Sequence, residues 1–482
     1  MLDKPHDECG VFGIFNKNGN DLAHEIYLAL YALQHRGQLS CGIAVNHGKG
    51  KVNVFRGEGL VPEVFNDDCL SKLSAGDNES TSGGIAGIGH VRYSPKEFAE
   101  QANTQPLVMR YARGVIAIAN NGCLINSNEL RRDLEMQGAI FQTSSDAELI
   151  GYLIARQRLR TECVEDAISN VMNDIVGAYS FVLLSPKKLV AVRDPQGFRP
   201  LCIGMLNGSY VVASESCAIQ SIGGEFLRDI EPGEIVVISK DGLRSLQNHC
   251  GKQSSLCIFE HVYFARPDSI IDGAGVHNSR LSAGAQLASE YPVQADVVIG
   301  VPDSGLDAAI GYSEYSGIPY EIGFIKNRYI GRTLIQNSQL QREKSVYIKL
   351  NPVISTVKGK RVVLVDDSIV RGTTSAHIVD LLRKAGAAEV HMRISSPPFL
   401  NPCYFGTDIS SRDYLIACNM SKEKICEQIG ADSLGYLSFE GLFKIAKESK
   451  VGFCYGCFTG EYPLPIEGEK QTDKFAVKLQ KI

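Results

Sequence analysis

No apolar run in this sequence approaches the roughly 20 residues that a membrane-crossing helix needs, so no spanning segment is expected. The leader Met1–Glu8 (MLDKPHDE) lacks an apolar h-region, which argues against a secretion signal there. Internal repeats and low-complexity segments are also missing. An excess of positive charge is missing too: the net charge of -5 gives no electrostatic case for nucleic acid or an anionic membrane as partner. A cytoplasmic protein is the expectation. Hydrophobic residues make up 44% and charged residues 21%, the balance of a globular chain. At 482 residues it is too long for one ordinary core, so two domains are expected.

Fourteen cysteines at irregular spacings, without a secretion signal, argue against a disulfide framework. Cys41, Cys69, Cys163, Cys202, Cys418 and Cys426 sit in apolar or helical surroundings and read as packing residues. Five others are treated separately below.

Up to about residue 250, short β-branched runs alternate with polar turns. Val11–Phe15, Ile85–Arg92, Val115–Ala119, Ala178–Leu184, Leu189–Arg193 and Tyr210–Ser214 read as strands. Helices are expected over Asp21–Gln34, Asn128–Met136 and Asp146–Arg156, with Asp21 and Asp146 as N-caps. Such blocks suggest an α+β arrangement. Beyond a polar linker at Gln247–Ser255 the pattern changes. Apolar strands at Asp296–Gly300, Tyr320–Phe324, Arg361–Val365 and Val390–Ser395 are separated by helical stretches at Leu306–Tyr315 and Ser375–Lys384. That alternation predicts a parallel doubly wound α/β sheet.

The strongest signal is Val362–Ser375, VVLVDDSIVRGTTS. An apolar strand runs into Asp366 and Asp367, then into a turn with Arg371 and Gly372, then into a helix opened by Thr373, Thr374 and Ser375. Gly372 lets the backbone approach a ligand, and N–H groups at the helix start can hold a phosphate. Paired carboxylates beside a phosphate site make sense when the phosphate belongs to a sugar, whose vicinal hydroxyls they can accept from. The alternative is a capped helix after an ordinary strand.

This stretch resembles the phosphoribosyl pyrophosphate motif of type I phosphoribosyltransferases. Gly300–Gly305 (GVPDSG), with Asp303 and Ser304, resembles that family's pyrophosphate loop. Lys326–Arg332 (KNRYIGR), with Arg328, opens a basic stretch that can neutralise a leaving pyrophosphate, unless it is simply a solvated face. The resemblance implies Mg²⁺ near Ser304, Asp366 and Asp367.

The second signal is Cys9–Gly13, CGVFG, just after the polar leader. A cysteine made N-terminal by cleavage after Glu8 supplies a thiol nucleophile and an α-amine base, which titrate near ~8.5 and ~8. A buried cysteine at a strand start is the competing reading. Asn121 and Gly122, in the NNG of Asn120–Gly122, form the inventory of an oxyanion hole. Arg92 in GHVRY can hold an amino acid's carboxylate, and Asp146 in SSDAE its ammonium group, in addition to a capping role. Arg36 in LQHRGQ is brought towards the same region.

These segments are similar to the N-terminal-nucleophile glutaminase domain. In their order, the motifs from about Cys9 to Pro463 resemble the glutamine phosphoribosylpyrophosphate amidotransferase family. Membership implies an αββα glutaminase domain (9–250) after a cleaved propeptide (1–8), then an α/β type I phosphoribosyltransferase domain (251–482). It further implies glutamine and phosphoribosyl pyrophosphate as substrates, 5-phosphoribosylamine as product, a homotetramer and purine nucleotides as feedback inhibitors. The chain reads NNGCL over Asn120–Leu124 and GHVRYSP over Gly89–Pro95, where the family usually has HNGNL and GHVRYST.

Cys454 and Cys457 form a CxxC motif, for which redox, zinc and iron–sulfur readings compete. The branch of the family with a cleaved leader implies a [4Fe–4S] cluster on Cys257, Cys403, Cys454 and Cys457. Two rivals remain: a non-catalytic sensor of phosphoribosyl pyrophosphate, and an enzyme running on free ammonia alone.

Overall fold

A computed structural model describes residues 9–17, 21–76, 84–93, 101–327, 350–409 and 411–466. Apolar alternation along the first half builds two antiparallel sheets. Their strands begin with β1 (Gly10–Phe15), β2 (Ser40–Asn46), β3 (Val52–Glu58), β4 (Ala86–Arg92), β5 (Leu107–Tyr111) and β6 (Gly114–Asn121). They continue with β7 (Ser180–Leu184), β8 (Leu189–Arg193), β9 (Cys202–Leu206), β10 (Ser209–Ala213), β11 (Glu225–Asp229), β12 (Ile235–Ser239) and β13 (Gly242–Leu246). One sheet has the order β11-β9-β10-β1-β4-β2-β3 and the other β13-β12-β8-β7-β6-β5.

The period of two decides which face each side chain takes. Val11 and Phe15 enter a core shared with Ala119, Val182 and Ala191 of the opposite sheet. Phe12 and Ile14 point the other way, against Ile26 and Leu30 of α1 (Leu22–Ala32). The outer face of the second sheet is covered by α2 (Ser127–Met136) and α3 (Asp146–Arg158), through Leu134, Leu149 and Leu153. The result is the αββα sandwich that the sequence implied.

In the second half, β14 (Leu256–Cys257) leads to α4 (Val276–Glu290), β15 (Val297–Gly300), α5 (Gly305–Ser316) and β16 (Phe324–Lys326). After it come β17 (Leu350–Pro352), β18 (Arg361–Asp366), α6 (Thr373–Lys384), β19 (Glu389–Ile394), β20 (Ser433–Tyr436) and β21 (Phe453–Cys454). A parallel four-stranded sheet has the order β15-β18-β19-β20. Its strands are buried on both faces: Val298 and Val363 pack with Leu287 of α4 and Ala308 of α5, whereas Val362 and Leu364 pack with Ile378 and Leu382 of α6.

Several local expectations need correction. The strand expected to stop at Ala119 runs on to Asn121, because Asn120 and Asn121 pair with Phe181 and Ser180. The N-cap of α3 is Ser145, whose side chain accepts from the Ala147 N–H, and Asp146 is the first helical residue. Asp21 does cap α1, accepting from the His24 N–H at 3.5 Å. No continuous strand spans Tyr320–Phe324. Tyr320 makes a single bridge to Val298, and at Gly323 the chain crosses Ile299 too closely for a Cβ, which would lie 2.5 Å from it.

Candidate functional site

The first site forms where the ends of the two antiparallel sheets meet. Gly10 of β1 pairs with Val91 of β4, which brings the half-buried Cys9 level with the buried Arg92. The Cys9 thiol lies 3.6 Å from the Tyr93 carbonyl. Val11 pairs with His90, whose Nε2 reaches the Asn120 carbonyl on the other sheet at 3.1 Å. That contact requires Nε2 to carry the proton, and complete burial drives the imidazole pKa down to about 3, so the ring is neutral. The backbone N–H of Asn120 donates to Gln105 Oε1 at 2.7 Å. Held from both sides, β6 presents Asn121 and Gly122 at its end.

The Asn121 amide nitrogen is buried and has no hydrogen-bond partner. Gly122 has φ +137°, and a Cβ there would lie 2.2 Å from the Ala178 carbonyl oxygen, so only glycine fits. An unsatisfied donor beside a glycine forced into this conformation is what an oxyanion site requires. Asp146, buried at the start of α3, accepts from the Leu124 N–H at 3.0 Å. Asn103 and Ser144 exchange two hydrogen bonds, at 2.7 and 2.9 Å, and fix the loop leading to it.

Arg36 lies behind Cys9 in this site. Its guanidinium is wholly buried, clamped by Glu215 and Glu260, and its Nε donates to the Cys9 carbonyl at 3.0 Å. It therefore supports the residue that carries the thiol and presents no open fork to a ligand.

The second site lies at the carboxyl ends of β15 and β18, where open parallel sheets bind ligands. Asp366 and Asp367 are fully buried. Asp367 accepts from the hydroxyls of Ser304 and Ser368, which ties the loop after β15 to the loop after β18. The Ser396 hydroxyl donates to the Asp367 carbonyl at 2.8 Å, adding the end of β19 to the same cradle. Gly372 sits at φ +84° as the N-cap of α6, with Thr373, Thr374 and the buried Ser375 opening that helix. The Arg371 guanidinium stacks 4.6 Å from the Tyr414 ring. Lys326 pairs with Asp303 at 2.5 Å across exposed surface, which holds the end of β16 beside the loop after β15. Arg328 and Arg332 lie outside the described residues.

A third feature joins the halves. β14 and β21 are parallel with Cys257 opposite Cys454, and these two, Cys403 and Cys457 line one pocket with Phe198, Arg199, Phe259, Phe399, Phe405 and Tyr462. The Phe405 N–H points at the Cys403 sulfur at 3.4 Å. Burial pushes the Cys454 thiol up to about 12 and that of Cys457 well above its ordinary value, each aggravated by neighbouring cysteines. Among the described residues, no group of three or more His, Cys, Asp or Glu is arranged to hold a metal ion.

Two known domain families match separate parts of the chain. Residues 90–221 match the glutamine amidotransferase domain family, and residues 278–395 match the phosphoribosyl transferase domain family. The chain is 47% identical to amidophosphoribosyltransferase of Methanocaldococcus jannaschii, covering 96% of this chain and 99% of that one. It is 48% identical to amidophosphoribosyltransferase of Bacillus subtilis, covering 96% and 95%. The chain belongs to the amidophosphoribosyltransferase family. Its fold is that of the family: the structure of B. subtilis glutamine phosphoribosylpyrophosphate amidotransferase, complexed with ADP and GMP, matches at a TM-score of 0.87 and 46% identity, over 96% of this chain and 99% of that one. As a family member the chain is an enzyme of purine biosynthesis that aminates phosphoribosyl pyrophosphate with nitrogen from glutamine.

His90, Gln105, Glu215 and Glu260 were missed from sequence. Each acts through a partner far along the chain, and no local spacing marks it.

Proposed function

We propose that Cys9 is the glutaminase nucleophile and that the loops after β15 and β18 hold phosphoribosyl pyrophosphate, with the two domains dividing near residue 250. The reading is supported by the orphaned Asn121 amide at the end of β6, a strand that the His90–Asn120 contact ties to β4, which pairs with β1 next to Cys9. Cys9 Sγ attacks the glutamine carboxamide carbon, and the α-amine freed by removal of residues 1–8 takes the thiol proton. The carbonyl oxygen becomes an oxyanion held by Asn121 Nδ2 and the Gly122 N–H. Collapse, with the α-ammonium returning its proton to the leaving nitrogen, expels ammonia and leaves a thioester, which water hydrolyses to glutamate. Arg92 and Asp146 hold the α-carboxylate and α-ammonium groups of the substrate.

Ammonia then attacks C1 of the sugar while the C1–O bond to pyrophosphate breaks, giving 5-phosphoribosylamine. Gly372, Thr373, Thr374 and Ser375 hold the 5-phosphate through the start of α6. Asp366 and Asp367 grip the ribose hydroxyls once the serine hydroxyls that occupy Asp367 turn aside. Asp303, Lys326, Arg328, Arg332 and Arg371 surround the pyrophosphate. Oxygen donors at Ser304, Asp366 and Asp367 suit Mg²⁺, which takes few protein ligands and completes its shell with substrate phosphates and water. Held there, Mg²⁺ would supply charge neutralisation to the pyrophosphate.

The four cysteines of the shared pocket are read as ligands of a [4Fe–4S] cluster with a structural role. A lone ion needs its ligands to converge on one point, whereas a cluster places each thiolate on a different iron. Homotetramer assembly, inhibition by purine nucleotides and a cytoplasmic location complete the reading, the second supported by the ADP and GMP in the B. subtilis structure.

Intact mass, iron content and pyrophosphate release with glutamine or ammonium salt test the whole. The expected results are a chain beginning at Cys9, about four irons per chain, and a Cys9→Ala variant that loses glutamine-driven synthesis alone. Full glutamine use by Cys9→Ala would overturn the mechanism.

A further inference from the structure

The carbonyl of Cys9 accepts one hydrogen bond from Arg36 Nε, and that guanidinium is held from the other half of the chain. Arg36 Nη1 donates to Glu260 Oε2 at 2.9 Å, and Nη2 donates to Glu260 Oε1 at 2.8 Å. A bidentate carboxylate on the terminal nitrogens with a carbonyl on Nε leaves a planar fork no freedom to turn. Arg36 and Glu260 lie 224 positions apart and are both fully buried. Glu215, from the first half, adds a contact to Nη1 at 2.6 Å.

Glu260 is itself held rigidly. It opens a π-helical turn, Glu260–Phe264, a conformation common at functional sites. Arg280 of α4 pins that turn by donating to the carbonyls of His261, Tyr263 and Ala265 at 2.8–2.9 Å. Arg199 places a second guanidinium 3.8 Å from Glu260 Oε1. A pair that merely fastened the halves together could end on any surface. This one ends on the backbone of the residue that carries the thiol.

We propose that Glu260 is a positioning residue of the glutaminase site, through which the second half of the chain sets the aim of the Cys9 thiol by way of Arg36. The proposal rests on Cys9 being the nucleophile, and its failure is separable from the failure of that reading. Glu260→Gln in the full-length enzyme keeps size and shape but leaves the fork without its charge and with only one acceptor oxygen. Because small misplacements of a nucleophile are costly, its kcat for glutamine hydrolysis should fall on the order of 10-fold, with KM little changed. Ammonium-driven pyrophosphate release should stay at the wild-type rate. Alkylation of Cys9 by iodoacetamide, followed on its own peptide by mass spectrometry, should slow in parallel with hydrolysis. Glu260→Asp, which retains the charge at shorter reach, should restore part of the loss.

Equal loss of the glutamine- and ammonium-driven rates would assign Glu260 to stability alone and overturn the proposal, as would an unchanged glutamine kcat. Cys9→Ala separates the two ideas. If it retains glutamine use, the nucleophile assignment fails; if it loses glutamine use while Glu260→Gln does not, only the positioning role fails.

Discussion

Replacing Asn121 by alanine should have opposite consequences for catalysis and for folding. In the free enzyme the Asn121 amide nitrogen is buried without a partner, a state that costs a fold about 1–3 kcal/mol. Alanine removes that donor, so its stability should match or exceed the wild type, less the small cost of lost packing. In the proposed reaction the same nitrogen gains a partner only when the carbonyl oxygen becomes an oxyanion. Losing one such donor costs about 2.7–4 kcal/mol, which is a 10²–10³-fold drop in kcat. The assay pairs glutamate formation with chemical denaturation, and ammonium-driven pyrophosphate release serves as an internal control that should not move. Asn121→Asp is the companion variant, because it keeps the shape but presents an acceptor where a donor is needed. Its glutamine kcat should fall at least as far. If Asn121→Ala lost stability and both activities together, or kept glutamine kcat within a few-fold, the orphaned amide would not be an oxyanion donor.

Gly122→Ala should behave differently, because its Cβ would meet the Ala178 carbonyl at 2.2 Å and its φ is +137°. Denaturation should report a loss of at least about 1–3 kcal/mol, together with loss of glutamine use. His90 gives a pH test: burial holds its folded pKa near 3, below the ordinary 6.5, so the unfolded chain binds the extra proton between those values. Stability should therefore fall as pH drops below about 6.5, with His90 contributing on the order of 2 kcal/mol between pH 7 and 5. His90→Gln, whose amide can still donate to the Asn120 carbonyl, should lose that share of the slope; an unchanged slope would refute the assignment.

Local signals carried part of the architecture, while β3, β5, β9, β11, β12, β13 and α4 went unread. The paired carboxylates and the glycine of Val362–Ser375 were legible because strand, turn and helix start are encoded within fourteen consecutive residues. They fall as expected at the end of β18 and the start of α6. Boundaries set by neighbours were less legible. β6 continues through two asparagines of poor strand propensity because β7 supplies partners for both. β2, SCGIAVN, was missed altogether: Ser40, Gly42 and Asn46 interrupt it, and the continuous apolar run Ile43–Val45 is shorter than the roughly four residues that mark a strand. The role of Arg36 was the least legible part. A buried arginine and an open ligand fork look the same in sequence, and the difference lies in Glu260, contributed from the other half.

That difference extends to the whole junction. Arg193 forks onto Asp272 at 2.8 and 2.7 Å, Arg199 donates to the Phe405 carbonyl, and Arg36 forks onto Glu260; all three arginines are fully buried and come from the first half. Burying such charges is a poor route to adhesion, since desolvation consumes most of the attraction and apolar contact of equal area often holds better. Apolar surfaces, however, tolerate sliding by fractions of an ångström, whereas a planar fork on a carboxylate or carbonyl accepts one orientation. In the proposed reaction, nitrogen released beside Cys9 must reach a sugar carbon gripped near Asp367, and ammonia that meets bulk water near neutral pH is protonated and loses its lone pair. A chain that splits the reaction between two sheets therefore needs fixed register at their junction more than it needs extra stability there, and forked arginines supply register.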